Sequence, residues 1–313
     1  MMYDIPILIL TYNRPNHLLK LIRRLKKINP KKIYVSCDGP KNNFDESQIL
    51  KIKKKIQLFD RRTKIHLNLL NKNYGIKYGP QKGIDWYFKN ENLGIILEDD
   101  CIPSDFFFKY MKYLLYKYKD DKKVYAISGY NHLKKTNFGE GTYFLSNYFL
   151  CWGWGTWKVV WENSDKELTS YIKGKSLIKL KNKFQNDLEY KYWQKVIKHV
   201  YHEKIKTWDI QFLASMWKKN SYCILPNINM IKNIGFDQTS TTSPGLNFKV
   251  AKVVNYDGKI INPRKLSINA ENENQIFLRL FRPKNFLYPW RIFNKLKEFF
   301  LQPKYFMRKV FKF

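Results

Sequence analysis

Apolar residues fall into short runs and helical stripes that alternate along the first half of the chain. The run 5–10 (IPILIL) is unbroken, the pattern of a buried strand. Thr11-Tyr12-Asn13-Arg14 comes next, and Pro15 suits the first turn of a helix. Leu18, Leu21, Ile22 and Leu25 share one face of that helix. Residues 32–37 form a second run, closed by the turn sequence Asp38-Gly39-Pro40. Ile49, Ile52, Ile56 and Phe59 mark a second amphipathic helix, and residues 65–70 a third strand. Residues 71–83, rich in Gly, Asn and Lys, read as a loop, and residues 94–97 as a fourth strand. Strands alternating with helices at this spacing predict βαβ units and a parallel sheet.

The second half is less regular. Phe107, Tyr110, Met111, Leu114, Leu115 and Tyr118 trace a clean helical face, and residues 124–128 and 143–150 read as strands. Residues 151–157, CWGWGTW, fit no regular element. Residues 183–198 predict a polar helix, 209–217 a short helix with a mixed face, and 224–234 further strand. From about residue 249 the pattern loosens.

Candidate chemistry lies where the fourth strand ends. Ile95, Ile96 and Leu97 run straight into Glu98, Asp99 and Asp100. Three adjacent carboxylates repel one another unless a cation or hydrogen-bond donors neutralise them. A solvated acidic turn is the bland alternative. Apolar pressure before the acids and the helix start Pro103-Ser104-Asp105 after them argue for a fixed strand-end position. Ligands of open α/β sheets bind at the carboxyl ends of strands, so a metal is expected here.

Charge changes the picture next. The 313 residues carry 58 Lys or Arg against 26 acids, a net +32, which attracts polyanions: nucleic acid, an anionic membrane face or a phosphate-bearing substrate. Lys, Ile, Asn and Tyr are abundant throughout, so part of that charge is compositional bias. Cys37, Cys101, Cys151 and Cys223 are far apart with no CxxC pair, neither a zinc pattern nor a disulfide framework. That usage suits a reducing compartment. Residues 1–4 carry no cationic n-region and the 5–10 run is short for a signal segment, so no leader is expected, and no run nears the roughly 18 apolar residues of a membrane span. A cytoplasmic protein is expected.

Taken together, ILTYNRP at the first strand end, VSCDGP at the second, LEDDCIPS, LCWGWGTW and TWDIQF resemble the nucleotide-sugar-dependent glycosyltransferases of the GT-A fold. The likeness is nearest to bacterial sugar transferases similar to N-acetylglucosaminyltransferase I, and spans residues 5–240. It implies an α/β fold with a mostly parallel central sheet flanked by helices. Residues 1–248 would be the catalytic domain and 249–313 a basic aromatic appendage. It also implies a variant DxD motif, in which Asp100 holds a divalent cation, Mn²⁺ or Mg²⁺, while Glu98 and Asp99 face the donor. Carboxylate oxygens suit such hard cations. Thr11, Asn13, Arg14 and Asp38 would bind the nucleotide, with residues 73–75 nearby. A turn-forming Asp38 before Gly39 is nearly as good an explanation, and the neighbouring strand ends favour function.

Asp209 is the implied catalytic base, deprotonating the acceptor hydroxyl opposite the leaving diphosphate in an inverting transfer. An N-cap role for Asp209 is compatible with this. Trp152, Gly153 and Trp154 correspond to an acceptor-side loop, although clustered tryptophans also build cores. Glu162 and Asp165 are alternative acids. The chain departs from the family in having no histidine after His202, so Asp237 or water would complete the metal shell. His199 and His202 lack a third ligand and read as surface residues.

The tail has its own logic. Ile292, Phe293, Leu296, Phe299 and Phe300 share a helical face, and residues 279–313 hold ten Lys or Arg against one acid, Glu298. Such a helix suits an anionic membrane surface, or else packs on the catalytic domain. The expectation is a metal-dependent inverting transfer from a UDP-linked nucleotide-sugar donor to a glycan or lipid-linked acceptor. The setting would be surface polysaccharide or lipooligosaccharide assembly, at the cytoplasmic face of the inner membrane. One alternative is a sugar-nucleotide-forming nucleotidyltransferase, which wants a glycine-rich basic loop after strand one; residues 11–15 are not that. The other is a nucleic-acid-binding protein, but no helix-turn-helix, zinc or RNA-reading signature is present, and no nucleic-acid partner is expected.

Overall fold

Ile7–Thr11 forms β1, buried along its whole length, and Pro15–Lys26 forms α1 with Leu18, Leu21, Ile22 and Leu25 facing the core. The computed structural model describes residues 2–133, 141–172, 180–236, 251–254, 256–283, 286–287 and 292. Lys32–Cys37 is β2 and Asn43–Ile56 is α2, opened by the Asn42 side chain accepting from the Asp45 N–H. Lys64–Leu69 is β3 and Leu93–Glu98 is β4. These four strands lie parallel in the order β3-β2-β1-β4. Their carboxyl ends therefore share one edge of the sheet.

Between β3 and β4 the expected loop is a helix. Gly75–Asn90 is α3, with Pro80 inside it. The glycines that read as loop formers are contact points. A Cβ on Gly83 would lie 2.7 Å from Ser36 Oγ and 2.8 Å from Leu10 Cδ2, so the bare backbone lets α3 sit tightly on β1 and β2. Ile84, Tyr87 and Phe88 then complete its buried face.

Cys101–Pro103 is a short strand, β5, and Asp105–Lys117 is α4, beginning after Ser104 as expected. Val124–Ser128 is β6 and Tyr143–Ser146 is β7. Trp154–Trp157, expected to be irregular, is a fully buried strand, β8, antiparallel between β4 and β6. Lys158–Glu162 is α5, Thr169–Ile172 is α6, Asp187–Tyr201 is α7 and Asp209–Lys218 is α8. Tyr222–Pro226 is β9 and Ile231–Asn233 is β10; β10 pairs antiparallel with β5 in a second, two-stranded sheet.

The large sheet has eight strands, β3-β2-β1-β4-β8-β6-β9-β7, and four of its seven pairings are parallel. The architecture is α/β, with helices on the sheet as the sequence predicts. Part of the expected appendage is described. Its helix α9, Ala270–Ile276, places Ile276 and Phe277 in the core, and Tyr143 donates to Asn262 at 2.6 Å. The tail stripe from Phe293 onward, Asp237 and the Thr-rich stretch after it lie outside the described residues. Among the described residues no helix is long and apolar enough to cross a membrane.

Candidate active site

Because β1, β2 and β4 are parallel neighbours, the segments leaving their carboxyl ends meet at a single edge. The Asp38 N–H donates to the Thr11 carbonyl at 3.1 Å, and the Asp99 N–H to the Leu10 carbonyl at 3.0 Å. A cavity of about 500 Å³ opens there. Its walls include Thr11, Asn13, Arg14, Asp38, Glu98, Asp99, Trp152 and Asp209, eight of the residues the sequence nominates. These come from five separate stretches of chain, and only the fold brings them together.

Asp99 is 1% exposed and is held from two sides. The Thr11 hydroxyl donates to its Oδ2 at 2.7 Å, and the Arg14 guanidinium to its Oδ1 at 2.5 Å. The same guanidinium nitrogen reaches Asp100 Oδ2 at 3.0 Å. Burial works against charge on Arg14, but Asp99, Asp100 and Glu98 outweigh it and keep the guanidinium firmly protonated. Burial raises the Asp99 carboxyl, and Arg14 opposes that rise. Glu98 is different. No described side chain donates to it, and burial followed by the neighbouring Asp100 pushes it up to about 8.

Three carboxylates, Glu98, Asp99 and Asp100, thus act on the Arg14 guanidinium, and Asp209 acts on Glu98 from across the cavity. Among the described residues no three His, Cys, Asp or Glu side chains enclose a metal ion by themselves. The donor set is nevertheless all oxygen, and Glu98 has no hydrogen-bond donor among the described side chains. That set fits a hard divalent cation whose shell is completed by a ligand's own phosphates.

Asp100 does not line the cavity directly. The loop after β10 covers it: the Ile234 N–H donates to the Asp100 carbonyl at 2.9 Å, and Gly235 lies over the carboxylate. A Cβ on Gly235 would fall 2.1 Å from Asp100 Oδ2 and 3.2 Å from an Arg14 nitrogen. Gly235→Ala is therefore expected to displace the Asp100 carboxylate. On the reading that this cluster holds a cation together with a nucleotide, a loss of about tenfold in affinity for UDP with Mn²⁺ is expected by calorimetry, since ligand geometry must hold to a fraction of an ångström. Equal affinities would refute this.

Asp38 is engaged with backbone. Its Oδ1 accepts from the N–H groups of Gly39 (3.0 Å) and Tyr74 (2.9 Å), and its Oδ2 from Gly75 (2.8 Å). It therefore fixes the start of α3 as well as lining the cavity, and its expected turn role is part of the structure. Asn13 spends its amide on Asp45, at 2.7 Å.

Asp209 opens α8 across the cavity. Its Oδ1 accepts from the Thr207 hydroxyl and, at 3.0 Å, from the Ile210 N–H. Among the described side chains, the Cys151 thiol is the partner of its Oδ2, 3.9 Å away. Burial raises the carboxyl, and the Thr207 bond opposes the shift.

Trp152 stands half-buried in the cavity wall between Tyr130 and Phe236. Its expected companions do not join it. Trp154 is 1% exposed in β8, its ring stacked 5.6 Å from Trp208 and packed on Phe149 and Phe212. Gly153 lies behind the wall, its carbonyl accepting from the Gly129 N–H at 2.7 Å. Residues two apart share a face in a continuous strand. Gly153 breaks that rule, because its φ of +63° turns the chain in the left-handed region just before β8 begins. Trp152 is left at the cavity and Trp154 enters the core. Glu162 is exposed and paired with Lys158 at 3.8 Å, while Asp165 caps α6 through Thr169 and Ser170. His199 packs edge-on against Phe286, and His202 is exposed.

Sequence reasoning passes over three contributors. Thr207 and Lys41 line the cavity, and Asp45 supports it from behind. Asn42 and Asp45 look like ordinary helix-start residues, and nothing in their spacing signals more.

No known family profile matches the chain, and no curated protein does. Solved structures give distant likenesses. Apo UDP-glucose pyrophosphorylase is 9% identical, with a TM-score of 0.39 over 77% of this chain and 94% of that one. The 4-diphosphocytidyl-2C-methyl-D-erythritol synthase of Anaerococcus prevotii is 10% identical, with a TM-score of 0.37 over 71% of this chain and 88% of that one. HddC from Yersinia pseudotuberculosis is 13% identical, with a TM-score of 0.30 over 50% and 78%. The first two names belong to the nucleotidyl-transfer alternative rather than to glycosyl transfer. None of the three supports the specific likeness to N-acetylglucosaminyltransferase I.

Proposed function

We propose that this chain is a transferase that uses a nucleotide sugar, and that it moves the sugar to an acceptor hydroxyl deprotonated by Asp209. One observation carries the reading. A single cavity holds strand-end groups suited to a nucleoside, an acid cluster suited to a cation and diphosphate, and an isolated carboxylate on the far wall. In the proposed reaction the acceptor oxygen attacks the anomeric carbon and its proton passes to Asp209 Oδ2. The bond to the diphosphate breaks on the opposite face of the sugar, giving inversion. Glu98 at the cavity wall, with Asp100 behind it under the Gly235 loop, would hold a divalent cation with the diphosphate, and Mg²⁺ or Mn²⁺ there would supply the charge that offsets the departing anion. Thr11 and Arg14 keep Asp99 in place, and Trp152 gives the acceptor side an apolar face.

The second reading, nucleotidyl transfer, is the one that the names of the similar structures suggest. Two features weigh against it. The β1–α1 connection is only Tyr12, Asn13 and Arg14, with no glycine to cradle a triphosphate. A sugar phosphate is also already an anion and needs no base, so Asp209 would have no proton to take.

A UDP-linked donor belongs to the same proposal, on the resemblance to UDP-dependent enzymes, and so does a glycan or lipid-linked acceptor. The +32 charge supports work at an anionic membrane face, with residues 249–313 as the docking appendage.

The test is thermal stability with UDP and Mn²⁺, because a ligand that binds the folded state raises the melting temperature by mass action. A rise with UDP and Mn²⁺, none with an oligonucleotide, and UDP release from a UDP-sugar are expected. Pyrophosphate release from UTP and a sugar 1-phosphate would instead favour nucleotidyl transfer.

A further inference from the structure

Each side chain from Thr11 to Arg14 donates to a carboxylate. Thr11 and Arg14 donate to Asp99. The Tyr12 hydroxyl donates to Asp45 Oδ2, and the Asn13 amide to Asp45 Oδ1 at 2.7 Å. The Lys41 backbone N–H adds a third bond to Asp45, at Oδ2 and 3.0 Å. Asp45 is 3% exposed in the first turn of α2, and its own N–H is fixed by Asn42 Oδ1 at 3.0 Å. One buried carboxylate therefore ties together the β1–α1 connection, the β2–α2 connection and a helix start.

The three residues it holds all line the cavity, whereas Asp45 does not. The Lys41 ammonium also lies over the Tyr12 ring, 5.6 Å from its centre, so the ring is steadied at its hydroxyl and on one face. Burial would raise the Asp45 carboxyl, but the donors from Tyr12, Asn13 and Lys41 hold it below its ordinary range. It stays ionised and keeps accepting from all three.

We infer that Asp45 is a positioning residue of the donor site, setting the affinity for the nucleoside through Tyr12, Asn13 and Lys41 without touching the nucleotide. The inference rests on the nucleotide-sugar reading above. With Asp45 in place the wall is ordered before the ligand arrives. Without it, Tyr12 and Asn13 must be ordered during binding, and that cost appears as lost affinity.

Calorimetric titration of the full chain with UDP and Mn²⁺ tests this, alongside UDP release from a UDP-sugar. Asp45→Ala is expected to raise the UDP Kd about tenfold, the equivalent of about 1.4 kcal/mol, while turnover at saturating donor stays within about twofold of wild type. Combining Asp45→Ala with Asn13→Ala should weaken binding less than the sum of the two single changes, because the second removes what the first has already freed. Unchanged affinity in folded Asp45→Ala protein, or additive losses, would overturn the inference. Should Asp45→Ala fail to fold, Tyr12→Phe removes one of the three bonds alone, and a UDP Kd equal to wild type would then overturn it. Wild-type protein that binds no UDP, GDP or CDP would sink the nucleotide-sugar reading itself, a result separable from equal binding by wild type and variants.

Discussion

Replacing Asp209 by asparagine should abolish UDP release in the presence of acceptor while leaving UDP affinity close to wild type. A positioned general base contributes about 10²–10⁴-fold to rate, and the amide is its near-isosteric, non-basic substitute. The geometry makes the split specific. Asp209 Oδ1 is occupied by the Thr207 hydroxyl and the Ile210 N–H, so only Oδ2 is open to take a proton. Thr11, Arg14 and Asp38, the groups proposed for the nucleoside side, are secured by other partners and should not notice the change. A base must be ionised to act, and burial raises the Asp209 carboxyl. Activity should accordingly fall on the acid side with an apparent pKa above the ordinary aspartate range. Turnover of Asp209→Asn within tenfold of wild type would remove Asp209 from this role and leave the helix-start role as its function.

Much of the fold is legible in the sequence because burial writes itself into spacing. The 5–10 run, the Leu18–Leu21–Ile22–Leu25 stripe and the apolar residues before Glu98 all sit where their patterns predict. The errors share one physical cause. Glycine in residues 71–83 reads as conformational freedom, whereas Gly79 and Gly83 serve close packing of α3 on Asp38, Ser36 and Leu10. The tryptophans of residues 151–157 read as a platform around glycines, whereas the chain turns at Gly153 and enters a buried strand, sending Trp154 inward and leaving Trp152 at the cavity. Composition does not separate a glycine that loosens the chain from one that admits a neighbour. How near a neighbouring segment's atoms come decides it, and that is a property of the tertiary fold.

The site is legible to a different depth. Residues nominated at strand ends do converge on one cavity, but their hydrogen-bonding capacity is spent differently from what residue type implies. Thr11, Asn13 and Arg14 look like free donors for a nucleotide, and each already donates to a carboxylate. Asp38 looks like a free acceptor and already accepts three N–H groups. Among the described carboxylates that line the cavity, only Glu98 and the Oδ2 of Asp209 have little or no donor of their own. A single sequence shows which polar groups a site has, and stays silent on which of them are already paired.

That pairing makes Arg14 the position where a substitution should cost the most stability. Arg14→Ala removes a cation shared by buried Asp99 and Asp100, and breaking a buried ion pair from one side typically costs about 3–5 kcal/mol. Arg14→Lys should recover only part of this, since an ammonium is a point charge and cannot span two carboxylates as a guanidinium does. The deficit should also depend on pH. Folding already raises the carboxyls of Glu98, to about 8, and of Asp99, and Arg14 opposes both shifts. Without it both folded-state values rise further. A carboxyl raised on folding contributes stability that is full below its unfolded pKa and is lost as pH rises through its folded one. Where Glu98 and Asp99 are protonated in either protein, the guanidinium has less charge to neutralise. Denaturant unfolding of wild type and Arg14→Ala should therefore show a gap that narrows as pH falls and widens as pH rises through about 8, where Glu98 ionises. A gap independent of pH would mean that Arg14 stabilises the site through packing of its stem rather than through charge.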